Sequence, residues 1–564
     1  MEPRLLLFLR PQKGTEAHRN IRFCALLCLS VAKARCCTRR RYLFLLLSLG
    51  LALLWPGQFT RAADWPWVEP VELSDPTFAP NGSFPDLALD AADQLHAIWY
   101  VARSQTVAQS SDVIDLLISR VLHGGSWSAA QTVFATNSRE LLGEANAQTG
   151  GLVDATDATY RLQGTLAAGR DGKLHSLYRG ATFQLYVNAP TEQSTLLSER
   201  SAPQDLGQGE ANALVIGADG MLHMTLNAAL KPEDAPEAAL CTGCNEIFYR
   251  RSLDGGENWS RPENLSRMAG DDGPQQLKVD SQNRLHVVWE HRQNDPTMVG
   301  GPAFVSYRRS RDGGTTWEIP VTLGLPNEVT LQGALGLSPE GNPLVVYRSG
   351  VGQQVYFQHS DDGGATWTLP GVIPTVLARA LDDTPTDNYS LATDGTGHIH
   401  LLLVGFIPGS ASLTPKLLHL TWDGQTWLAP RVVMAGALYP EGPRLVIERG
   451  NKLHAVWFIR EGLSGPSRSR QIVWYSSATI DAPTVVPLAT FTPMPSPTLS
   501  QPTVTPIILP TTISATSRGK PVVTGPPRWE GQGLALLTLA LAPLLLLLLI
   551  VAWQGLMRWY DESD

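Results

Sequence analysis

An eight-residue pattern, Ser-x-Asp-Gly-Gly-x-x-Trp, occurs three times in this sequence and constrains its fold more than any other feature. Each copy follows a stretch of alternating apolar residues and precedes a second short one, so we expect a hairpin turn. The Asp carboxylate can accept hydrogen bonds from the turn's amides, the glycines allow positive φ, and the Trp can pack against the neighbouring unit. This pattern, the octet below, therefore predicts a repeated structural element. Its Asp and Trp residues are Asp254 and Trp259, Asp312 and Trp317, and Asp362 and Trp367.

A second repeat is a Leu-His or Ile-His pair that opens a strand. The pairs begin at Leu95, Leu174, Leu222, Leu285, Ile399 and Leu453, and Pro343 occupies the corresponding place without a histidine. Seven first hairpins thus alternate with seven further strands, and units of four strands recur about every 50 to 60 residues. This period predicts an all-β fold, a β-propeller of four-stranded blades. We expect seven blades, with six as the alternative, and histidines that pack within blades against neighbouring backbone.

Closure of the ring is predicted by a third pattern, Trp-x-x-Pro, which follows each octet as an outer strand. The last unit, at 471–477, lacks this strand. The segment that begins at Trp67 has the same pattern with no octet before it. We therefore expect residues 67–74 to pair with residues 471–477 and to join the two ends of the propeller.

The N-terminal residues 1–63 indicate targeting. Three arginines at 39–41 precede an apolar run at 42–55, and small residues follow near Ala62 and Ala63, as in an export signal. Fourteen helical residues span only about 21 Å, which favours a cleaved signal over a membrane anchor. An alternative explanation of the long basic segment before this apolar run is that the start codon is assigned too far upstream.

The C-terminal part changes composition abruptly after the predicted ectodomain, residues 64–480. Residues 481–530 are rich in Pro, Thr and Ser, which predicts an extended stalk. Residues 531–554 form an apolar run long enough for a transmembrane helix, and residues 555–564 form a short tail. We therefore expect a single-pass protein of the cell membrane with its propeller on the extracellular side.

Several chemical classes are disfavoured by the sequence. The net charge of −8 and the lack of a basic stripe outside the N-terminal segment give no basis for nucleic-acid binding. No His-Glu-x-x-His or Gly-x-Ser-x-Gly motif occurs, so we expect no metal and no cofactor. Cys241 and Cys244 favour a local disulfide over a zinc site, because two ligands do not complete one.

The octets resemble the Asp-box, or BNR, repeats of sialidase-like propellers, and the resemblance covers about residues 64–479. In that family Asp boxes lie at outer turns away from the sugar site, so the resemblance implies the fold more strongly than an activity. Its sialidases have an Arg-Ile-Pro motif, an arginine triad for the substrate carboxylate, a Tyr nucleophile paired with Glu, and an Asp acid/base. This sequence has no Arg-Ile-Pro; the nearest string is Glu318-Ile-Pro320.

The face opposite the octet turns is the expected ligand face. Five arginines there could clamp a carboxylate or sulfate, or could instead be strand-end residues paired with acids: Arg103, Arg179, Arg292, Arg348 and Arg460. We predict a binding or interaction module for a glycan or a protein partner. The alternative is a sialidase-like glycoside hydrolase of exo-α-sialidase type. Its catalytic candidates are Tyr439 and Glu441 as nucleophile and helper, and Asp271 or Asp382 as acid/base.

Overall fold

The computed structural model describes residues 67–74, 82–107, 110–137, 162–180, 183–191, 200–207, 209, 211–229, 244–268, 270–292, 303–380, 389–410, 414–434, 439–461 and 470–485. All 29 secondary-structure elements assigned in these ranges are β-strands. In chain order they are β1 (Val71–Glu72), β2 (Ser83–Leu89), β3 (Leu95–Val107), β4 (Ser110–His123), β5 (Ser126–Trp127), β6 (Gln131–Asn137), β7 (Gln163–Ala168), β8 (Lys173–Arg179), β9 (Gln184–Pro190), β10 (Gln204–Asp205), β11 (Ala211–Ile216), β12 (Leu222–Ala228), β13 (Glu246–Ser252), β14 (Glu263–Asn264), β15 (Asp271–Val279), β16 (Leu285–Arg292), β17 (Ala303–Ser310), β18 (Val321–Leu323), β19 (Thr330–Leu337), β20 (Pro343–Ser349), β21 (Gln354–His359), β22 (Gly371–Ala378), β23 (Ser390–Thr393), β24 (Ile399–Phe406), β25 (Lys416–Trp422), β26 (Arg431–Met434), β27 (Tyr439–Glu448), β28 (Lys452–Glu461) and β29 (Arg470–Thr479).

The strands form six antiparallel sheets. Five are separate blades of four or five strands, and the sixth is one continuous sheet of eight strands, β19 to β26. The prediction of seven separate blades, with six as the alternative, is therefore wrong. The reason is that the end of β22 pairs with β24, Leu377 with Phe406 and Ala378 with Gly405, which merges two sequence periods into one sheet.

The inner strands of these sheets surround a common axis. Contacts run in the order β2, β7, β11, β15, β19, β23 and β27, and β27 in turn contacts β2. The eight-stranded sheet contributes two of these strands, β19 and β23. The chain therefore closes on itself as an all-β, propeller-like ring.

The N-terminal strand joins the ring as the Trp-x-x-Pro pattern predicts. Strand β1 pairs with β29, with Val71 opposite Tyr475 and Glu72 opposite Trp474. The backbone NH of Leu73 donates to the carbonyl of Val473 at 2.7 Å, and the Leu73 side chain is fully buried. The outer edge of the last sheet is therefore covered by the start of the described chain.

The hydrophobic core lies between neighbouring blades. One cluster, for example, combines Ile247 and Tyr249 of β13 with Leu277 of β15 and Trp289 of β16. Each blade alone would leave such residues exposed, so burial of apolar surface between sheets stabilises the ring as a whole.

The octet turns have the contacts that their residue pattern predicts. In the second copy, Asp312 Oδ1 accepts hydrogen bonds from the backbone NH of Thr316 at 2.8 Å and of Thr315 at 3.0 Å. Trp317 packs edge-on against Tyr249 of the preceding blade, with ring centroids 5.0 Å apart. The octet is therefore a staple between neighbouring blades.

The repeated histidines are buried, but their partners differ from the prediction. His286 Nδ1 lies 2.7 Å from the Tyr307 hydroxyl, and His454 contacts the Tyr475 hydroxyl and the Glu448 carboxylate, both at 2.8 Å. A tyrosine of the third strand is likewise the partner of His175 and His223, whereas His400 contacts His419 and His96 contacts the Asp90 carboxylate. Neighbouring backbone was expected in their place. The histidines connect strands within each blade.

Several sequence predictions lie outside the described residues: the export signal, the stalk beyond residue 485, the transmembrane helix at 531–554, the tail, and Cys241. Among the residues that are described, no helix has the length and apolar character needed to cross a membrane. Cys244 is disulfide-bonded. Its pairing with Cys241 stays a prediction.

Candidate functional site: the axial cavity

A cavity of about 810 Å³ lies on the axis of the ring, and we call it the axial cavity. Residues from all seven inner strands or their immediate ends line it. Inner strands approach the axis edge-on, so side chains and backbone both contribute to its wall. This places the cavity where loops and strand ends of every blade can reach one ligand.

The end of the cavity nearest the octets is crossed by two side chains of β15. Gln276 donates through Nε2 to the carbonyl of Tyr389 at 3.0 Å and accepts through Oε1 from the NH of Leu335 at 3.0 Å. Lys278 Nζ donates to the carbonyl of Leu391 at 2.8 Å. Both side chains span β19 to reach the β23 segment. We call Gln276 and Lys278 the floor of the axial cavity.

Most charged groups in the wall are paired with one another. Arg292 forms an ion pair with Glu290 at 2.6 Å, and Arg444 lies 3.5 Å from Asp86. Asp86 also accepts a hydrogen bond from the NH of Leu166 at 2.9 Å. Burial raises the pKa of the Asp86 carboxyl, and the Arg444 guanidinium offsets part of that rise.

A buried carboxylate, Asp272, lies near the opposite end of β15. Its Oδ1 accepts a hydrogen bond from Trp289 Nε1 at 3.0 Å and lies 2.8 Å from His291 Nδ1. Its Oδ2 has no hydrogen-bond partner among the described residues. Asn227 Nδ2 donates to the carbonyls of Asp272 and Gly273. These contacts fix the orientation of the Asp272 side chain.

Three of the predicted site residues line this cavity: Arg179, Arg292 and Asp271. Arg179 is buried, and Asp271 accepts a hydrogen bond from the NH of Asn245 at 2.9 Å. Arg292 is the most accessible, with 55% of its side chain exposed. The sequence thus led to part of the site.

The remaining candidates are located elsewhere or cannot be placed. Arg348 is buried away from the cavity and donates to the carbonyl of Arg379 at 2.6 Å. Tyr439 and Glu441 begin β27 without lining the cavity, and Glu441 is buried. Arg103 and Arg460 lie on β3 and β28, but their side chains are outside the described part, as is the whole of Asp382.

Sequence reasoning missed Asp86, Lys278, Glu290 and Arg444, which all line the cavity. Three of them lie on inner strands, β2, β15 and β27, whereas all five predicted arginines lie on second strands. Polar residues on the first strand of each period would have been the signal, because that strand lies closest to the axis of a propeller.

Comparisons with known proteins show only a low structural similarity to solved structures. No protein-family model matches the sequence, and no curated protein matches it. Similar solved structures include a protein of unknown function from Dyadobacter fermentans, 13% identical over 74% of this chain and 100% of that chain, with a TM-score of 0.43. The NanB sialidase from Streptococcus pneumoniae is 13% identical over 74% of this chain and 71% of that one, with a TM-score of 0.39.

A third similar structure is the intramolecular trans-sialidase from Ruminococcus gnavus, 11% identical over 74% of this chain and 98% of that one, with a TM-score of 0.38. All three TM-scores are below 0.5. The assignment of a propeller-like ring therefore depends on the strand pairing and on the contacts between inner strands. The activities of those proteins do not transfer to this chain.

Proposed function

We propose that this protein is a binding module that holds a glycan in the axial cavity. The observation that carries the proposal is the number of side-chain amides in the cavity wall. Six of them line it: Gln163, Asn227, Asn245, Gln275, Gln276 and Gln332. An amide presents a donor and an acceptor in one plane, which suits hydroxyl groups that both donate and accept.

The size and charge of the cavity support the same proposal. Its volume of about 810 Å³ lies within the roughly 300–1,000 Å³ typical of small-molecule sites. Arg292 pairs with Glu290 and Arg444 with Asp86, so these four charges largely neutralise one another. A polar wall with paired charges suits a polyhydroxylated ligand.

A sialidase-like glycoside hydrolase is the second candidate, because three guanidiniums line the same cavity: Arg179, Arg292 and Arg444. Such a cluster can hold the carboxylate of an acid sugar. Tyr439 and Glu441 do not line the cavity, so the nucleophile pair suggested by the sequence does not lie at the arginines. This difference favours binding over hydrolysis.

The cellular setting is part of the proposal. An export signal, a Pro/Thr/Ser-rich stalk and a terminal apolar run in the sequence support a propeller displayed outside the cell on a single membrane anchor. A protein partner that presents a polar segment to the same cavity is the alternative ligand.

The experiment is a glycan-binding screen on the full-length chain, together with a fluorogenic sialoside assay. The variant Gln332→Leu changes a cavity amide whose Oε1 has no hydrogen-bond partner among the described residues. We expect it to weaken glycan binding about tenfold or more, since one good hydrogen bond accounts for about 1.4 kcal/mol.

The matched control is Gln425→Leu, at an exposed turn between β25 and β26, and it should leave binding unchanged. Absence of binding across the screen would contradict the proposal. Sialoside turnover that depends on Arg179, Arg292 or Arg444 would establish the hydrolase in its place.

A further inference from the structure

We propose that Lys278 anchors an anion-binding subsite in the floor of the axial cavity, which takes a single carboxylate group of the ligand. This inference rests on the proposed function, because it adds a charged group to the ligand held by the cavity amides. It concerns the octet-side end of the cavity, which none of the arginine candidates occupies.

The first argument is that Lys278 has no internal counter-ion. Its Nζ makes one hydrogen bond, to the carbonyl of Leu391. No carboxylate forms an ion pair with it within the described part of the chain, and burial alone lowers the pKa of its amine to about 8. Buried charges in proteins are normally paired, so a cavity-lining amine without an acid is suited to a ligand of opposite charge.

The second argument comes from the groups that surround Lys278. Strands β19 and β23 present only uncharged residues to the axial cavity, and Ser390 and Leu391 of β23 are the ones beside Lys278. His286 lies opposite Lys278 in register, but its ring is held by the Tyr307 hydroxyl and lies 3.7 Å from the Asp280 carboxylate. Strand β11, on the other side of β15, contributes the apolar residues Ala213 and Leu214 to the cavity. The acids of the wall, Glu290 and Asp86, are paired with Arg292 and Arg444.

The third argument is the state of the other charged groups in the wall. Arg292 is paired with Glu290, Arg444 with Asp86, and Asp272 with His291, and Asp271 accepts from backbone. Arg179 is buried and also has a partner. An entering carboxylate would have to break an existing pair at Arg292 or Arg444, whereas at Lys278 it would meet an ammonium with unused donor capacity.

The geometry defines how such a ligand would sit. Lys278 lies one register position from the octet-side end of β15 and β16, where Val279 faces Leu285. A carboxylate at the floor leaves the rest of the ligand facing the amides and the Asp271 end of the cavity. The subsite would thus fix the orientation of a chain-like ligand, with its acidic terminus deepest.

The experiment compares glucuronate with glucose, two probes that differ in one carboxylate, by calorimetry on the full-length chain at pH 7. We expect the wild type to bind glucuronate at least tenfold more tightly than glucose. Lys278→Met should remove this difference and keep glucose binding, and Lys278→Arg should restore part of it. The control Lys173→Met, on β8 and outside the cavity wall, should keep the full difference.

A pH series adds a readout that a purely structural role would not change. Because the anion needs the ammonium form, glucuronate affinity should be constant below about pH 8 and should fall up to about tenfold per unit above it. Glucose affinity should not follow that course. Equal affinity for both sugars in the wild type, at all pH values, would overturn the inference.

A second measurement separates failure of the inference from failure of the proposed function. Acetate is titrated into protein carrying ¹³C-labelled lysine, and the Lys278 side-chain resonance is followed against pH. A rise in the Lys278 pKa with acetate supports the subsite even if no sugar binds, in which case glycan binding alone is refuted. An unchanged pKa together with equal sugar affinities refutes the subsite.

Discussion

The hydroxyl of Tyr186 donates a hydrogen bond of 2.9 Å to the carbonyl oxygen of Gly255, in the octet turn of the next blade. The same ring packs edge-on against Trp259, with centroids 5.2 Å apart, and its hydroxyl lies 2.6 Å from His175 Nδ1. One tyrosine therefore connects the histidine of its own blade to the octet of its neighbour. This relationship explains why both repeats occur together in the sequence.

The two glycines of an octet should respond differently to substitution. Gly255 and Gly256 both have positive φ, +72° and +95°. A Cβ on Gly255 would meet nothing, whereas one on Gly256 would collide with the Tyr186 hydroxyl and with the edge of its ring. We expect Gly255→Ala to lower the free energy of unfolding by about 1 kcal/mol and Gly256→Ala by about 3 kcal/mol.

Chemical denaturation of the two variants under identical conditions measures this difference. Tyr186→Ala provides the matched background, since it removes both the ring and the hydroxyl that the Cβ would meet, and it should reduce the additional cost of Gly256→Ala in the double variant. Equal losses for the two glycine variants would contradict the role assigned to the tyrosine.

Closure of the ring predicts that one residue of the first strand matters far more than its neighbour. Leu73 is fully buried and belongs to a cluster with Trp99, Val456 and Val473, whereas Val71 is 47% exposed. Leu73→Ala should lower the free energy of unfolding by about 3 kcal/mol. Val71→Ala should lower it by less than about 1 kcal/mol.

Thermal unfolding, followed by circular dichroism, compares the two variants. The loss in Leu73→Ala should appear as a lower midpoint of a single transition, because the first and last blades share that core. A separate early transition confined to the last sheet would show that closure is not coupled to the rest of the ring.

Closure of the ring could be predicted from the sequence, because the Trp67 segment has the outer-strand pattern without a preceding octet. The number of sheets could not. Pairing of Leu377 with Phe406 depends on how far β22 extends past its own blade, and no periodicity records that length. The spacing of the strands in the sequence shows that the unit repeats. Whether two units form one sheet or two depends on contacts between strand ends.

The candidate site was accessible to sequence reasoning only in part. Arg292 was found because it ends a strand after a Leu-His turn. Lys278 lies within a strand that otherwise alternates normally, and its position in the cavity follows from its reach across β19 to Leu391. Lys278 and Leu391 are 113 residues apart in the sequence, and no local pattern predicts a contact between residues so far apart.

Two buried histidines predict how stability depends on pH. Burial lowers the pKa of His223 and of His454 to about 4, from an ordinary value of 6.5. The unfolded chain therefore binds these protons near pH 6.5, before the folded protein does. The free energy of unfolding should fall as pH drops from about 6.5 to 4, by up to about 3 kcal/mol for each histidine.

Denaturation curves between pH 4 and 8 test this. His223→Gln and His454→Gln should each flatten the fall within that window, and His123→Gln, at an exposed turn, should not. Carboxylates with lowered pKa, such as Asp280 at about 2, lose their contribution only below about pH 4. Unchanged slopes in both variants would show that other groups set the pH dependence.

Arg292 and Arg348 both lie near the end of a second strand, but we expect Arg292 to contact the ligand and Arg348 to stabilise the core. Arg292 lines the axial cavity with 55% of its side chain exposed, and its ion pair with Glu290 is partly solvated. Arg348 is buried and donates to the carbonyls of Arg379 and Ser349. Arg348→Ala should lower the free energy of unfolding by about 3 kcal/mol, since buried carbonyls lose their donor. Arg292→Ala should lower it by about 1 kcal/mol.

Ligand binding should show the opposite order. Arg292→Ala should weaken binding of the glycan identified in the screen by about tenfold, because it removes a donor from the cavity wall and releases Glu290 into it. Arg348→Ala should leave the affinity of the folded fraction unchanged. Calorimetry on both variants, at a temperature where Arg348→Ala is still folded, separates the two effects. Unchanged affinity in Arg292→Ala would remove this residue from the site and shift the search to Arg179 and Arg444.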